Sequence, residues 1–113
     1  EALKNIQSNI PKSNVKYVDM NDKFPFEDNS ISLIIADISL HYFNEEKTMF
    51  IMNEIKRILK INGVLLARVS SINDTYYGAG SGIEIEKRFY DHYSYAQRYF
   101  DDEDVKKYFG IIG

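Results

Sequence analysis

The run Ile31 to Ala36 (ISLIIA) is almost unbroken in apolar residues and is closed by Asp37. No other stretch constrains the fold as tightly. A short apolar run bounded by polar loops reads as a parallel strand buried on both faces, the situation of strands in α/β sheets covered by helices. Upstream, Val15 to Asp19 (VKYVD) predicts an edge strand that also ends in an acid. Between them, Asn21 to Ser30 carries Pro25 and the polar cluster EDNS and predicts a loop, with Phe24 and Phe26 available to pin it onto the sheet. Downstream, Asn44 is placed to cap a helix that has Glu45 and Glu46 near its positive end and Lys56, Arg57 and Lys60 near its negative end. The apolar stripe of that helix is Ile51, Met52, Ile55, Ile58 and Leu59, suited to covering the sheet. Asn62-Gly63 predicts a left-handed helix end, and Val64 to Val69 predicts a second buried strand. Strand, helix and strand at this spacing predict a right-handed parallel crossover. Ligands of such sheets sit beyond the carboxyl ends of the strands, so the terminal acids Asp19 and Asp37 point to a small-molecule site.

The rest of the chain narrows the class. With 44% hydrophobic and 27% charged residues in 113 positions, the composition is that of one ordinary globular domain spanning residues 1–113. A net charge of −3 gives no basic footprint for nucleic acid. No cysteine is available for disulfides or thiolate metal sites, and no apolar run approaches the ~20 residues that cross a bilayer, so neither nucleic acid nor membrane is expected as a partner and the expected compartment is the cytoplasm. Near the start, Leu3, Ile6 and Ile10 predict a short amphipathic helix stopped by Pro11.

From Ser71 the chain turns rich in tyrosine and glycine, and it closes with a predicted helix from Asp102 to Phe109 capped by Asp101. The aromatics between, among them Tyr76, Tyr77, Phe89, Tyr90, Tyr93, Tyr95, Tyr99 and Phe100, either cover the sheet or form a lid, residues 71–100, over the strand ends. Gly78-Ala79-Gly80-Ser81-Gly82 lacks the preceding strand and following helix of a nucleotide loop and reads as a hinge or turn. His41 and His92 have no metal-ligand spacing.

The run YVDMNDKFPFEDNSISLIIADISLHYF, followed by NEIKRILKINGVLLARV, resembles the second half of the class I S-adenosylmethionine-dependent methyltransferase domain, in the small-molecule, tellurite-resistance-like branch. The tail from Gly78 to Phe109 resembles the region that caps the active site in one bacterial subgroup. Two departures stand out. Lys60-Ile61-Asn62-Gly63 replaces the family's Lys-Pro-Gly-Gly, and the family's first strands, with their glycine-rich loop and ribose-binding acid, align before residue 1. The resemblance therefore implies a partial Rossmann-like α/β fold, a parallel sheet with flanking helices, and a methyltransferase that works on a small-molecule acceptor when completed by an N-terminal half. Taken alone, the chain is expected to bind S-adenosylmethionine weakly or not at all. The alternative is a non-catalytic remnant acting in binding or self-association. Without the first strands, Val15 to Asp19 and Ile31 to Ala36 are expected to pair directly or to pair across a homodimer, because unpaired strand edges invite another chain.

Carried over residue by residue, Asp19 matches the acid that accepts a hydrogen bond from the adenine amino group, Met20 the neighbour packed beside the ring, and Ile38 and His41 follow the strand where the family lines the methyl-donor pocket, His41 being a candidate base or polar contact to the acceptor. Each also has an ordinary structural reading: a strand-end acid, a core methionine, a core-edge histidine. Tyr76, Tyr77 and Arg68 are candidate acceptor contacts, although Arg68 lies in a strand where it can simply pair with an acid. No catalytic residue is nominated, since methyl transfer depends chiefly on alignment of the reacting atoms.

Overall fold

Strand β1 (Ile31–Asp37) and strand β2 (Leu59–Arg68) form a parallel pair joined through helix α1 (Glu45–Ile58) in the computed structural model, which describes Ser8, Asn9 and residues 15–113. Asn44 caps α1, its side-chain oxygen accepting from the Lys47 amide at 2.8 Å, and the end charges fall as expected except Lys60, which lies in β2. Thr48, Ile51, Met52, Ile55 and Ile58 are the buried face of α1, and Ala36, Leu40, Leu59, Phe100 and Tyr108 join Ile51, Met52 and Ile55 in one core cluster. Full burial of each such aliphatic side chain is worth roughly 1.5–3 kcal/mol, so this face holds α1 to the sheet.

The loop before β1 is pinned from α1. Arg57 donates to the Phe24 and Phe26 carbonyls and to Asp28, while Glu54 accepts from the Phe24 amide at 2.8 Å. Phe24 packs on the core, whereas Phe26 stays largely exposed.

Several expectations are corrected. Val15 to Asp19 forms no strand, and it pairs with neither β1 nor any other described segment. A strand needs a hydrogen-bonded neighbour, and here the chain turns at Asp19 instead, the Asp22 amide donating to the Asp19 carbonyl at 3.0 Å. Helix α1 ends at Ile58, not at Asn62-Gly63, because Leu59 already takes extended geometry and pairs with Ile31. Gly63 lies within β2, where its requirement is closeness: a Cβ there would sit 2.9 Å from the Lys60 carbonyl oxygen. The register steps between Ile31 and Leu33, so the residues around Gly63 are an irregularity in the ladder.

β1 is also buried on one face alone. Ile34 and Ala36 pack toward the core, while Leu33 and Ile35 are 51% and 68% exposed, as are their register partners Val64 and Leu66 at 51% and 56%. α1 covers one side of the two-stranded sheet, and no described element covers the other. Ser8 and Asn9 are helical and exposed; Leu3, Ile6 and Ile10, the stripe of the predicted first helix, lie outside the described residues.

The tail folds as an antiparallel meander of β3 (Ile83–Glu86), β4 (Phe89–Asp91) and β5 (Ala96–Arg98), then helix α2 (Asp102–Phe109) with the expected Asp101 cap, here a reciprocal capping box with Asp104. Backbone bonds tie the meander to the strand ends: the Arg98 amide donates to the His41 carbonyl at 2.6 Å and the Phe100 amide to the Ser70 carbonyl at 2.8 Å. The aromatics divide. Phe89, Tyr99 and Phe100 are buried cover, while Tyr76, Tyr77, Tyr93 and Tyr95 remain exposed to solvent. Gly78, in the left-handed region at φ 97°, closes a 3-10 turn over Thr75–Tyr77, consistent with a turn rather than a nucleotide loop.

Candidate functional site

A cleft of about 490 Å³ opens at the carboxyl ends of β1 and β2, between them and the tail. Its floor carries Ile38 and His41 from the segment after β1, its rim carries Arg68 from the end of β2, and its far wall carries Asp74, Tyr77 and Tyr95. Ile38 is held at φ 50°, a left-handed conformation that a β-branched residue resists, while its amide donates to the Arg68 carbonyl at 2.9 Å. Strain of this kind gathers at functional positions. It turns the chain sharply as it leaves the strand and brings His41 back beneath the cleft.

His41 is 1% exposed, and its Nδ1 has no hydrogen-bond partner among the described residues. Burial lowers its pKa below the ordinary value, so the imidazole is neutral at pH 7. Tyr42 meets it edge-on at 4.4 Å between ring centres, and Tyr95 meets Tyr42 edge-on at 6.4 Å. Arg68 is not free in the cleft. Its Nε and Nη2 donate to the two carboxylate oxygens of Asp37 at 2.6 and 3.0 Å, which raises the arginine pKa further. Gln97 is buried and donates to the Ser70 hydroxyl at 2.8 Å. Behind the wall, Tyr99 donates to the Tyr77 carbonyl at 2.9 Å, and burial pushes its hydroxyl up to about 12.

A second concavity, about 360 Å³ and almost wholly apolar, runs along β1 and is lined by Val18, Met20, Phe24 and Phe26 together with Leu33 and Ile35. Asp19 is exposed beside it. One of its carboxylate oxygens accepts from the backbone amide and the side chain of Asn21, both at 2.9 Å, and these bonds lower its pKa.

The seven residues singled out from the sequence thus separate. Ile38, His41, Arg68 and Tyr77 meet in the cleft, Met20 lines the groove, and Asp19 stands at its side. Ile38 therefore shares the cleft with His41 and Tyr77 and lies apart from Met20. Tyr76 lies outside the cleft at 89% exposure, because adjacent residues of a 3-10 turn project about a third of a turn apart. Sequence reasoning passed over Tyr42 and Asp74. Tyr42 adjoins His41 in the strand-end segment; Asp74 carries no local signal, since it reaches the cleft only through the fold of the tail.

The profile of the family described as methyltransferase domain matches residues 1–67, more than half of the 113-residue chain. The chain belongs to this methyltransferase family. No individually curated protein matches it. The matched span takes in β1, α1 and β2 as far as Ala67, with Asp19, Met20, Ile38 and His41, while Asp74, Tyr77 and Tyr95 lie beyond it. Methyltransferase domains of this family generally use S-adenosylmethionine. The described residues fit the base end of such a nucleoside: an apolar groove beside an exposed carboxylate with one oxygen free of protein partners. No helix of the described residues is long and apolar enough to cross a membrane.

Proposed function

We propose that the chain serves S-adenosylmethionine-dependent methylation of a small molecule, with the groove beside Asp19 and Met20 holding the base of the nucleoside and the cleft above Ile38 and His41 holding the acceptor. The observation that carries this reading is the family match together with a separate cleft at the carboxyl ends of β1 and β2, where α/β sheets place their ligands. When bound, the cosubstrate supplies a methyl group on a positively charged sulfur. The chain's own part is positional. Ile38 and Tyr77 confine the acceptor, the neutral His41 offers it a polar but uncharged floor, and the aromatic walls limit water around the reacting atoms.

The tyrosine-rich tail resembles the region that caps the site in one bacterial subgroup of the family, and the chain is read as belonging to the small-molecule, tellurite-resistance-like branch. Among the described residues the glycine cluster at Gly78 follows no strand and opens no helix that could cradle the rest of a nucleoside, so their anchoring is at the base end and weak binding is expected.

Calorimetric titration of S-adenosylhomocysteine into the 113-residue chain tests the reading, with Asp19→Ala as control. Heat with a submillimolar midpoint, lost in Asp19→Ala, supports it. Absence of heat up to millimolar ligand, or binding indifferent to Asp19→Ala, overturns the assignment of the groove to the base and the reading of this chain alone as a methyltransferase. A second reading, a binding or self-association module, is favoured by one observation: the uncovered apolar face of Leu33, Ile35, Val64 and Leu66.

A further inference from the structure

We propose that the cleft at the strand ends takes an amine as its acceptor and stabilises the positive charge its nitrogen gains on methylation, the nitrogen held between the Asp74 carboxylate and the rings of Tyr42, Tyr77 and Tyr95. The inference rests on the acceptor reading of the cleft and names its substrate class.

The charges of the cleft lead to it. Asp74 stands at the N-terminal cap position of the Thr75–Tyr77 turn, yet its side chain makes no capping bond. Among the described residues no hydrogen bond or ion pair engages that carboxylate, although it is only partly exposed. Arg68, the one cationic side chain of the lining, is already committed to Asp37 through two bonds. His41 is neutral, and the amide of Gln97, itself uncharged, donates to Ser70. The cleft therefore presents one uncompensated negative charge to its ligand. An anionic acceptor would meet Asp74 with no free cation to offset it.

The aromatic walls add the second part. Tyr42 and Tyr95 stand nearly perpendicular, at 77°, with centres 6.4 Å apart, so the lining offers rings in more than one orientation to a group lodged among them. Electron-rich ring faces attract a cation within about 6 Å of the centroid, and aromatic rings recur in the recognition of quaternary ammonium groups. A neutral alcohol of the same shape gains burial but neither of these attractions. The acceptor nitrogen reacts as the neutral amine, its lone pair taking the methyl group while the electron pair of the broken sulfur–carbon bond leaves with the donor sulfur; positive charge then rests on nitrogen, and a site that favours that charge favours the change.

Choline and its uncharged isostere 3,3-dimethylbutan-1-ol are suitable probes, titrated into the full 113-residue chain while tyrosine ring resonances are followed by NMR. The expected result is choline binding at least about tenfold tighter than the isostere, the preference falling to near parity in Asp74→Asn. Tyr95→Phe keeps a ring and retains the preference; Tyr95→Leu reduces it several-fold. Circular dichroism of each variant verifies that the fold is kept. Equal binding of the probes, no binding of either, or a preference that survives Asp74→Asn overturns the proposal. Failure here with S-adenosylhomocysteine still bound rejects the substrate class alone; choline selectivity without nucleoside binding rejects the methyltransferase reading and leaves an ammonium-binding cleft.

Discussion

Asp37 and Arg68 face each other in register at the carboxyl ends of the two parallel strands and share a two-pronged ion pair. Both side chains are more than half exposed, so solvent screens the pair and its contribution to stability is small. Its effect on the cleft is electrostatic, because Arg68 lines the cleft and Asp37 cancels it.

The two partners should therefore act in opposite directions on a bound cation. Asp37→Asn leaves the guanidinium uncompensated and weakens choline binding; Arg68→Met removes the cation, frees Asp37 and strengthens it. Titration of both variants with the same probe checks the opposition. Identical affinities in the two variants would mean that the charge of Arg68 is not felt in the cleft. Urea midpoints of both should stay close to that of the parent chain.

His41 predicts a pH dependence of stability. Its folded pKa lies below the ordinary value because burial disfavours the imidazolium. Below about pH 6.5 the unfolded chain thus binds more protons than the folded one, and stability is full above that pH and falls as pH drops toward the folded value. The groups around it are Tyr42 edge-on, the Arg98 amide on its carbonyl, and Arg68 and Asp74 across the cleft. Carboxylates with lowered pKa values, Glu54 and Asp104, contribute losses only further down, below the ordinary carboxylate range near 4. Urea denaturation at pH 7.5, 6.5 and 5.5 should show a decline that His41→Phe flattens. An equal decline in the variant would assign it to other groups.

What the sequence disclosed and what it hid follow the range of the interactions involved. The caps at Asn44 and Asp101 and the parallel pairing of the apolar runs rest on local chemistry and a simple periodicity, and they were legible. The expected strand at Val15–Asp19 has the right alternation, but alternation cannot supply a hydrogen-bonding neighbour. The exposure of Leu33 and Ile35 was hidden for the same reason, since an apolar run states that cover is wanted, not that it is present. The two walls of the cleft meet only in the fold: Asp74 and His41 are distant in sequence and are joined by the bonds from β5 to the His41 carbonyl.

Gly63 tests whether the end of α1 is understood. If the residue served a left-handed helix end, asparagine would replace it with little loss and alanine with more. In the structure the need is space, because the nearest atom to a Cβ besides a leucine methyl is the Lys60 carbonyl oxygen, also at 2.9 Å, and backbone does not yield as a side chain does. Gly63→Ala and Gly63→Asn should both destabilise by about 1–3 kcal/mol, by overpacking. Chemical denaturation of the two variants decides it. A harmless Gly63→Asn would restore the left-handed reading.

The uncovered sheet face makes the last prediction. Leu33 pairs with Val64 and Ile35 with Leu66 in register, so their side chains form one contiguous apolar patch opposite α1. Each free edge of the two-stranded sheet also leaves backbone donors and acceptors open to pairing. Patches of this kind on single domains mark contact surfaces. Ile35→Lys places a charge at the most exposed of the four positions, where folding stability should change by no more than about 0.5 kcal/mol because about two thirds of the side chain already faces solvent. Sedimentation velocity over a hundredfold range of concentration should show the parent chain associating and the variant remaining monomeric. A parent chain that stays monomeric throughout would remove self-association from consideration and leave the methyltransferase reading without a competitor that this face supports.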